Sequence, residues 1–224
     1  MSVVTTNGDV YTGNKVIITV PIGVLCAAPG DPCAITFSPA LPAIDAAIGK
    51  MGYGAVIKVL LRFTEPFWKQ PGIAKLVEKK LDNIGFIFSR EAIPTWWTQH
   101  PGTLPLLTGW LGGPPAEEMR HTSDEDIRDA ALSSLAAIFK TTVGDLQAQL
   151  LSWRVVNWTA SPYSRGSYTF ATVDTDTARK VLCTPVEDTI CFAGEALYDG
   201  PEMGTVEAAL SSGKSIANML LDML

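Results

Sequence analysis

The chain has 224 residues, 47% of them hydrophobic and 18% charged, a balance that excludes intrinsic disorder and allows one or two domains with sizeable cores. Its formal net charge of −6 argues against nucleic acid or an anionic membrane surface as a partner. No apolar run approaches the roughly 20 residues of a membrane-spanning helix, and no charged-then-apolar leader opens the chain.

Val3 to Tyr11 reads as a hairpin, because Asn7-Gly8 suits a type I′ turn between two short β-prone runs. Lys15 to Val20 reads as a third, largely buried strand stopped by Pro21. A crossing rich in Pro, Gly and Cys runs from Ala27 to Pro42 and leads into a short helix around Ala43 to Lys50. Gly52-Tyr53-Gly54 is predicted as a turn, and Ala55 to Phe63 as a strand closed by Phe67-Trp68. Ile84 to Phe88 and Leu104 to Leu111 look like further strands, with the aromatic stretch Thr95-Trp96-Trp97 separating them. Gly112-Gly113-Pro114-Pro115 breaks the sheet. Ser123 is placed to cap a helix, with Asp126 three residues on and Ile127, Ala131, Leu135 and Ile138 as its buried stripe. Leu151 to Trp158 is another strand, followed by a turn over Ser161 to Gly166 and the extended Ser167 to Phe170.

Near the end, Thr189 to Glu195 is a short apolar strand that stops abruptly in Gly-Glu. A loop from Ala196 to Gly204 precedes a long amphipathic helix opened by Thr205. Val206, Ala209, Leu210, Gly213, Ile216, Ala217, Leu220 and Leu224 keep its helical spacing. A strand, a glycine turn and a bare helix N-terminus are the parts of an anion site, since unpaired N–H groups and the positive dipole end point the same way. Strands and helices mix without βαβ regularity, which predicts an α+β fold with a mixed sheet.

Few other residues suggest chemistry. Cys26, Cys33, Cys183 and Cys191 lack the paired spacing of zinc sites and read as reduced core thiols of a cytoplasmic protein. His100 and His121 lie far from any cluster with ligand spacing, so no metal site is indicated, and no Ser-His-Asp or Cys-His order stands out. Glu195 has no second acid nearby to suggest a paired-carboxylate hydrolase. A Gly-rich dinucleotide fingerprint is missing. Gly52-Tyr53-Gly54 has its first two glycines, but Ile57 stands where the third belongs and a strand follows instead of a helix. Lys58 is the one charge in an otherwise apolar strand, on the face of Val56 and Leu60. By pattern alone it reads as an edge-strand lysine that discourages aggregation or snorkels to solvent.

Four motifs in one order change that reading: Val16 to Leu25, Gly52 to Trp68, Asn157 to Thr169, and Phe192-Ala193-Gly194-Glu195-Ala196 with Gly204 to Gly213. Together they resemble the flavin-containing amine oxidases, the monoamine and polyamine oxidases and their relatives. The resemblance implies that Lys58 takes the place of the lysine that holds a water against flavin N5 and tunes the charge felt by the reduced flavin. It puts Trp158 beside the flavin and makes Tyr168 one wall of an aromatic cage that orients the amine. Without it, Trp158 and Tyr168 read equally well as a pair in a sheet core. Ser167 stands where monoamine oxidases carry a tethering cysteine, so the FAD is expected to be non-covalent. The second cage tyrosine falls at Pro201, with Tyr198 three residues earlier as a substitute. Gly194, Glu195, Met203, Gly204 and Thr205 fall on the family's carboxyl-terminal flavin contacts. The N–H groups of Met203 to Thr205 are there expected to face the C2 carbonyl.

The implied organisation is a substrate-binding domain over 27–182, flanked by partial FAD-binding-domain strands at 1–26 and an FAD-contacting strand and helix at 183–224. The implied reaction is FAD-dependent oxidation of a small-molecule amine: hydride transfer to flavin N5, imine hydrolysis, and peroxide from oxygen. The chain is then expected to be the substrate-domain half, inactive and without FAD on its own. Its partner is the missing N-terminal FAD-binding half, and its exposed seam invites a homodimer. Two alternatives stay open: a related flavin oxidase acting on an amino acid or polyamine, and a catalytically silent fragment or interaction module.

Overall fold

The computed structural model describes residues 1–77, 81 and 83–222. The chain divides into two compact units, one of residues 1–54 with 161–224 and one of 55–160. Both division points fall inside the 27–182 stretch expected as the substrate-binding domain. Antiparallel and parallel pairings both occur, and the fold is α+β.

The first segment opens with β1 (Ser2–Val4) and β2 (Val10–Thr12), antiparallel with Val3 opposite Tyr11. Their turn is not type I′, which needs positive φ at two central residues. Gly8 alone takes one, at 86°, and Thr5 closes the loop by accepting from Gly8 N–H and donating to Asp9 C=O, each at 2.9 Å. The next strand, β3 (Val16–Ile18), is half-exposed where a buried one was expected. Helices α1 (Ile22–Leu25) and α2 (Pro42–Ile48) follow, Pro42 sitting where a helix has no use for its missing N–H. The expected turn at Gly52-Tyr53-Gly54 is instead a short strand, β4 (Gly52–Tyr53).

The second unit contains β5 (Val56–Phe63), α3 (Pro71–Val77), β6 (Phe86–Phe88), β7 (Thr95–Trp97), β8 (Leu106–Gly112), α4 (Pro114–Glu118), α5 (Asp124–Phe139), α6 (Val143–Gln149) and β9 (Leu150–Asn157). Its antiparallel sheet has the order β6-β7-β8-β5-β9. Alternation along β5 sends Ile57, Val59, Leu61 and Phe63 to one face, where they are fully buried against Ile127, Ala131, Leu132 and Leu135 of α5. Each such side chain contributes about 1.5–3 kcal/mol, and cutting Leu61 to Ala would cost about 2–5 kcal/mol. Leu132 and Phe139 carry the stripe of α5 where Ile138 was expected, Ile138 being only partly buried. Ser123 caps α5 by accepting from Asp126 N–H at 3.1 Å, and its hydroxyl donates to the Asp126 carboxylate at 2.6 Å.

The aromatic stretch taken as a separator is β7 itself. Trp96 is fully buried, its indole N–H donating to Ile93 C=O at 2.9 Å. It fits because Gly109 lies opposite: a Cβ there would stand 2.8 Å from the indole ring.

The returning segment completes the first unit with β10 (Thr169–Phe170), α7 (Thr175–Leu182), β11 (Ile190–Phe192) and α8 (Val206–Asp222). β10 pairs antiparallel with β4, and β11 runs parallel to β3. One core joins Ile44, Ile48 and Met51 to Ala178, Leu182 and Phe192, and a smaller one joins Cys191 and Ala193 to Ile216. The inward line of α8 is Ala208, Ser212 and Ile216, whereas Val206, Leu210 and Leu221 are about 70% exposed (71%, 68% and 67%). Within that line Ser212 Oγ accepts the Gly194 N–H at 3.0 Å. Leu224 lies outside the described residues.

Candidate active site

In the first unit the turn between β11 and α8 is built around two glycines and one carboxylate. Gly194 has φ 139°, a conformation that strains any L side chain, and a Cβ there would meet nothing closer than Thr19 C=O at 3.9 Å. Its backbone is therefore open to close approach. Glu195 accepts three hydrogen bonds: from Thr169 N–H at 3.3 Å, from the Thr169 hydroxyl at 2.5 Å, and from Gly204 N–H at 2.8 Å. That carboxylate ties the strand just after Tyr168 to Gly204, two residues before α8. Gly204, at φ 83°, lies against the Tyr168 ring, where a Cβ would be 3.1 Å from the ring edge. The ring itself is half-exposed.

The helix start is not bare. Thr205 caps α8 by accepting from Ala208 N–H at 3.1 Å, and its hydroxyl donates to Glu202 C=O at 2.6 Å. Of the N–H groups expected to face a ligand, that of Gly204 is already given to Glu195. Met203 and Thr205 are half-buried in the same loop.

The loop is braced further in ways the sequence did not reveal. Tyr198 donates its hydroxyl to Glu202 at 2.6 Å, which pushes the phenol above its ordinary range, and its ring lies along Gly200. Tyr198 is thus engaged inside its own loop. Arg179 of α7, 5% exposed, reaches Asp199 at 2.9 Å and Asp176 at 3.5 Å, while its Nε and Nη2 have no acceptor among the described residues.

In the second unit Lys58 does not sit on an edge. β5 is hydrogen-bonded on both sides, with Lys58 opposite Trp110 of β8 and Val156 of β9. The edge-strand reading is therefore wrong, and the sheet edges are β6 and β9. Lys58 is half-buried, and among the described residues no carboxylate lies within ion-pair distance of its ammonium. It belongs to the face opposite α5, where register makes two rows. One runs Lys58, Trp110, Thr95, Phe88, and the other Leu60, Thr108, Trp97, Phe86. The Trp110 ring lies over Gly112, which has no side chain to lift it. Phe86 and Phe88 stack with centroids 6.2 Å apart and planes 8° apart, and Phe86 meets Trp97 at 6.0 Å. Trp158 follows the end of β9 and is 41% exposed, and next to it Thr159 Oγ1 bonds both N–H and C=O of Val56 at 2.8 and 3.2 Å.

The structure thus gathers Tyr168, Glu195 and Gly204 in one unit, with Gly194, Met203 and Thr205 in the same loop, and places Lys58 on β5 and Trp158 just after β9 in the other.

The family model of flavin containing amine oxidoreductases matches residues 1–221 of this chain. The chain belongs to the flavin-containing amine oxidoreductases. Among its relatives in this family are lysine-specific histone demethylase 1 homolog 3 of Arabidopsis thaliana, 31% identical over 98% of this chain and 13% of that protein. The peroxisomal N(1)-acetyl-spermine/spermidine oxidase of Homo sapiens is 30% identical over 100% of this chain and 45% of its own length. The probable polyamine oxidase 5 of Arabidopsis thaliana is 27% identical over 96% and 47%. The chain spans less than half the length of each of these curated relatives.

A flavin is the cofactor of this family, and part of the chain fits one. The open backbone of Gly194 and the exposed ring of Tyr168 can lie against a flat ligand. Gly52 cannot cradle phosphate, because Phe170 C=O at 2.5 Å and the Thr172 methyl at 2.7 Å already fill the space where its Cβ would be. In a flavin amine oxidoreductase the pyrophosphate would then be held by other residues.

Proposed function

We propose that the protein to which this chain contributes oxidises an amine with non-covalently bound FAD, this chain being its substrate-domain half. The chemistry that FAD supplies when bound is removal of hydride from the carbon beside a neutral amine nitrogen, with oxygen as final acceptor and peroxide as product; water then hydrolyses the imine. Lys58 holds a water and lends positive charge where negative charge develops. Tyr168 offers a flat wall that orients the amine, and Trp158, Gly194, Met203, Gly204 and Thr205 serve the cofactor. Glu195 serves that end by fixing Tyr168 and Gly204 together.

The observation that carries this reading is Lys58: a half-buried cation on an inner strand, with no acid to neutralise it among the described residues. The exposed line of α8 supports the further proposal that an N-terminal FAD-binding half, or a second copy of this chain, covers it. All four cysteines are free thiols, which supports a reducing, cytoplasmic setting.

Lys58→Met in the full-length, FAD-loaded protein is the test. Met has similar volume, so the melting curve should hold, while reduction or reoxidation should slow at least ~10-fold in stopped flow. Unchanged rates in both half-reactions would make Lys58 structural and remove the main support.

A further inference from the structure

The Lys58 face of the second unit's sheet carries two side-chain rows. Its two rows cross from β5 to β6, three inter-strand steps, or about 14 Å. At the far end stand Phe86 and Phe88, 65% and 77% exposed, stacked on each other and continued by Trp97. Between them and Lys58 lie Trp110 and Thr95, both half-buried, and the buried Thr108, so no charged residue interrupts the two rows between Lys58 and the phenylalanines. The charged residues of this face are Lys58, Arg62 and Arg154, all cationic, and no Asp or Glu occupies its strand positions.

From this we infer that the aromatic rows bind the arm of the amine substrate, and that the arm is apolar: the substrate is a monoamine with an extended hydrocarbon or aryl tail, not a polyamine. The inference rests on the amine-oxidase reading and adds the substrate class to it. A second ammonium carried along these rows would meet three like charges and no carboxylate at the strand positions, so ring attraction would have to offset its loss of water. A hydrocarbon arm loses nothing on leaving water and covers rings that are otherwise wet. A zigzag chain advancing about 1.3 Å per carbon–carbon bond spans the rows with about ten to twelve atoms.

The test compares straight-chain monoamines of about four to twelve carbons with α,ω-diamines of equal length, using peroxide release by the full-length FAD-loaded protein. We expect kcat/KM to rise roughly two- to fourfold per added methylene until the rows are spanned. Each long diamine should be at least ~10-fold poorer than its monoamine. Phe86→Ser/Phe88→Ser should reduce the ratio of long-chain to short-chain kcat/KM by about 10-fold. Binding is read separately on this chain alone, where decylamine should change the tryptophan fluorescence saturably, less so in Trp97→Phe/Trp110→Phe, and the ten-carbon diamine should not. If short amines turn over but diamines match or exceed monoamines, the inference falls and the oxidase reading stands. If no amine turns over, the oxidase reading falls, and absence of saturable decylamine binding overturns this surface as well. A double variant that changes the association state while keeping the length dependence would make the face an interface between copies and overturn the proposal.

Discussion

Replacing Glu195 should loosen the link between the Tyr168 strand and the start of α8, and the size of the effect follows from its three bonds. The carboxylate accepts from Thr169 N–H, the Thr169 hydroxyl and Gly204 N–H at 3.3, 2.5 and 2.8 Å. Hydrogen bonds to a charged group contribute about 1.5–3 kcal/mol each. Glu195 is half-buried and the 3.3 Å bond is long, so about 1 kcal/mol per bond is a fair value, or ~3 kcal/mol for Glu195→Ala. Thr169 is only 3% exposed, so its freed hydroxyl stays largely without water and the loss is not recovered by solvation. For a chain of this size ~3 kcal/mol corresponds to a melting point lower by about 6–12 °C. The chain has two units, so a local probe is the better one: amide exchange at Thr169 and Gly204 should accelerate by ~100-fold. Glu195→Gln should lose about half as much, because its amide brings a donor against donors. A double-mutant cycle with Thr169→Val should then return a coupling of ~1 kcal/mol. Unchanged exchange at residues 169 and 204 in Glu195→Ala would refute the clasp.

Other consequences are open to measurement. The purified 224-residue chain should be colourless, since losing several charge-assisted hydrogen bonds of ~1.5–3 kcal/mol each to the phosphates and ribose weakens FAD by orders of magnitude; stoichiometric flavin after gel filtration would contradict this. Light scattering at high concentration should give a mass above that of one chain, reduced by Leu210→Glu on the exposed line of α8, and a monomer at all concentrations would count against a covered seam. Asp31 accepts from the Cys33 thiol and N–H and from Arg165, bonds that hold its carboxyl below the ordinary carboxylate range. Its folded-state pKa is depressed, so its contribution is complete above about pH 4 and fades as pH falls through the lower, folded value. Asp31→Asn should therefore flatten the acid limb of the stability curve below about pH 4, and an acid limb identical to that of the parent would show that the cluster does not matter.

The sequence disclosed the elements whose signal is local. The alternation of β5, the capped start of α5 and the β11-glycine-α8 passage appear where pattern and capping put them. The misses are those in which a distant residue decides. Thr95 to Trp97 became a strand because Gly109, across the ladder, makes room for Trp96. Gly52-Tyr53 became a strand because Thr169-Phe170, far along the chain, pairs with it. Of the apolar stripe of α8, Ile216 is buried, while Val206 and Leu210 are exposed and Ser212, which accepts the Gly194 N–H, lies on the inward line. At the candidate site, residue types such as Glu195 were visible as motif members, but the three donors that converge on its carboxylate were not. Arg179 carried no signal either, its partner Asp199 lying in a loop whose course no pattern foretold.

The position of Lys58 also bears on why the sheet's two faces differ so sharply. On one face Ile57, Val59, Leu61 and Phe63 are fully buried under α5, which accounts for the fold's need of this strand. Nothing in that packing calls for a cation on the other face, between Trp110 and Val156. An edge lysine prevents unwanted strand pairing, but β5 already has both neighbours, so that benefit is not available here. Its side chain is half-buried, and among the described residues no ion pair engages its ammonium. What a lysine does offer there is a donor and a positive charge, held at a fixed register beside an aromatic row, available to water and to a bound molecule. A cation that the packing does not require, on the strand that the core most depends on, is the pattern of a residue whose interactions are completed by a ligand.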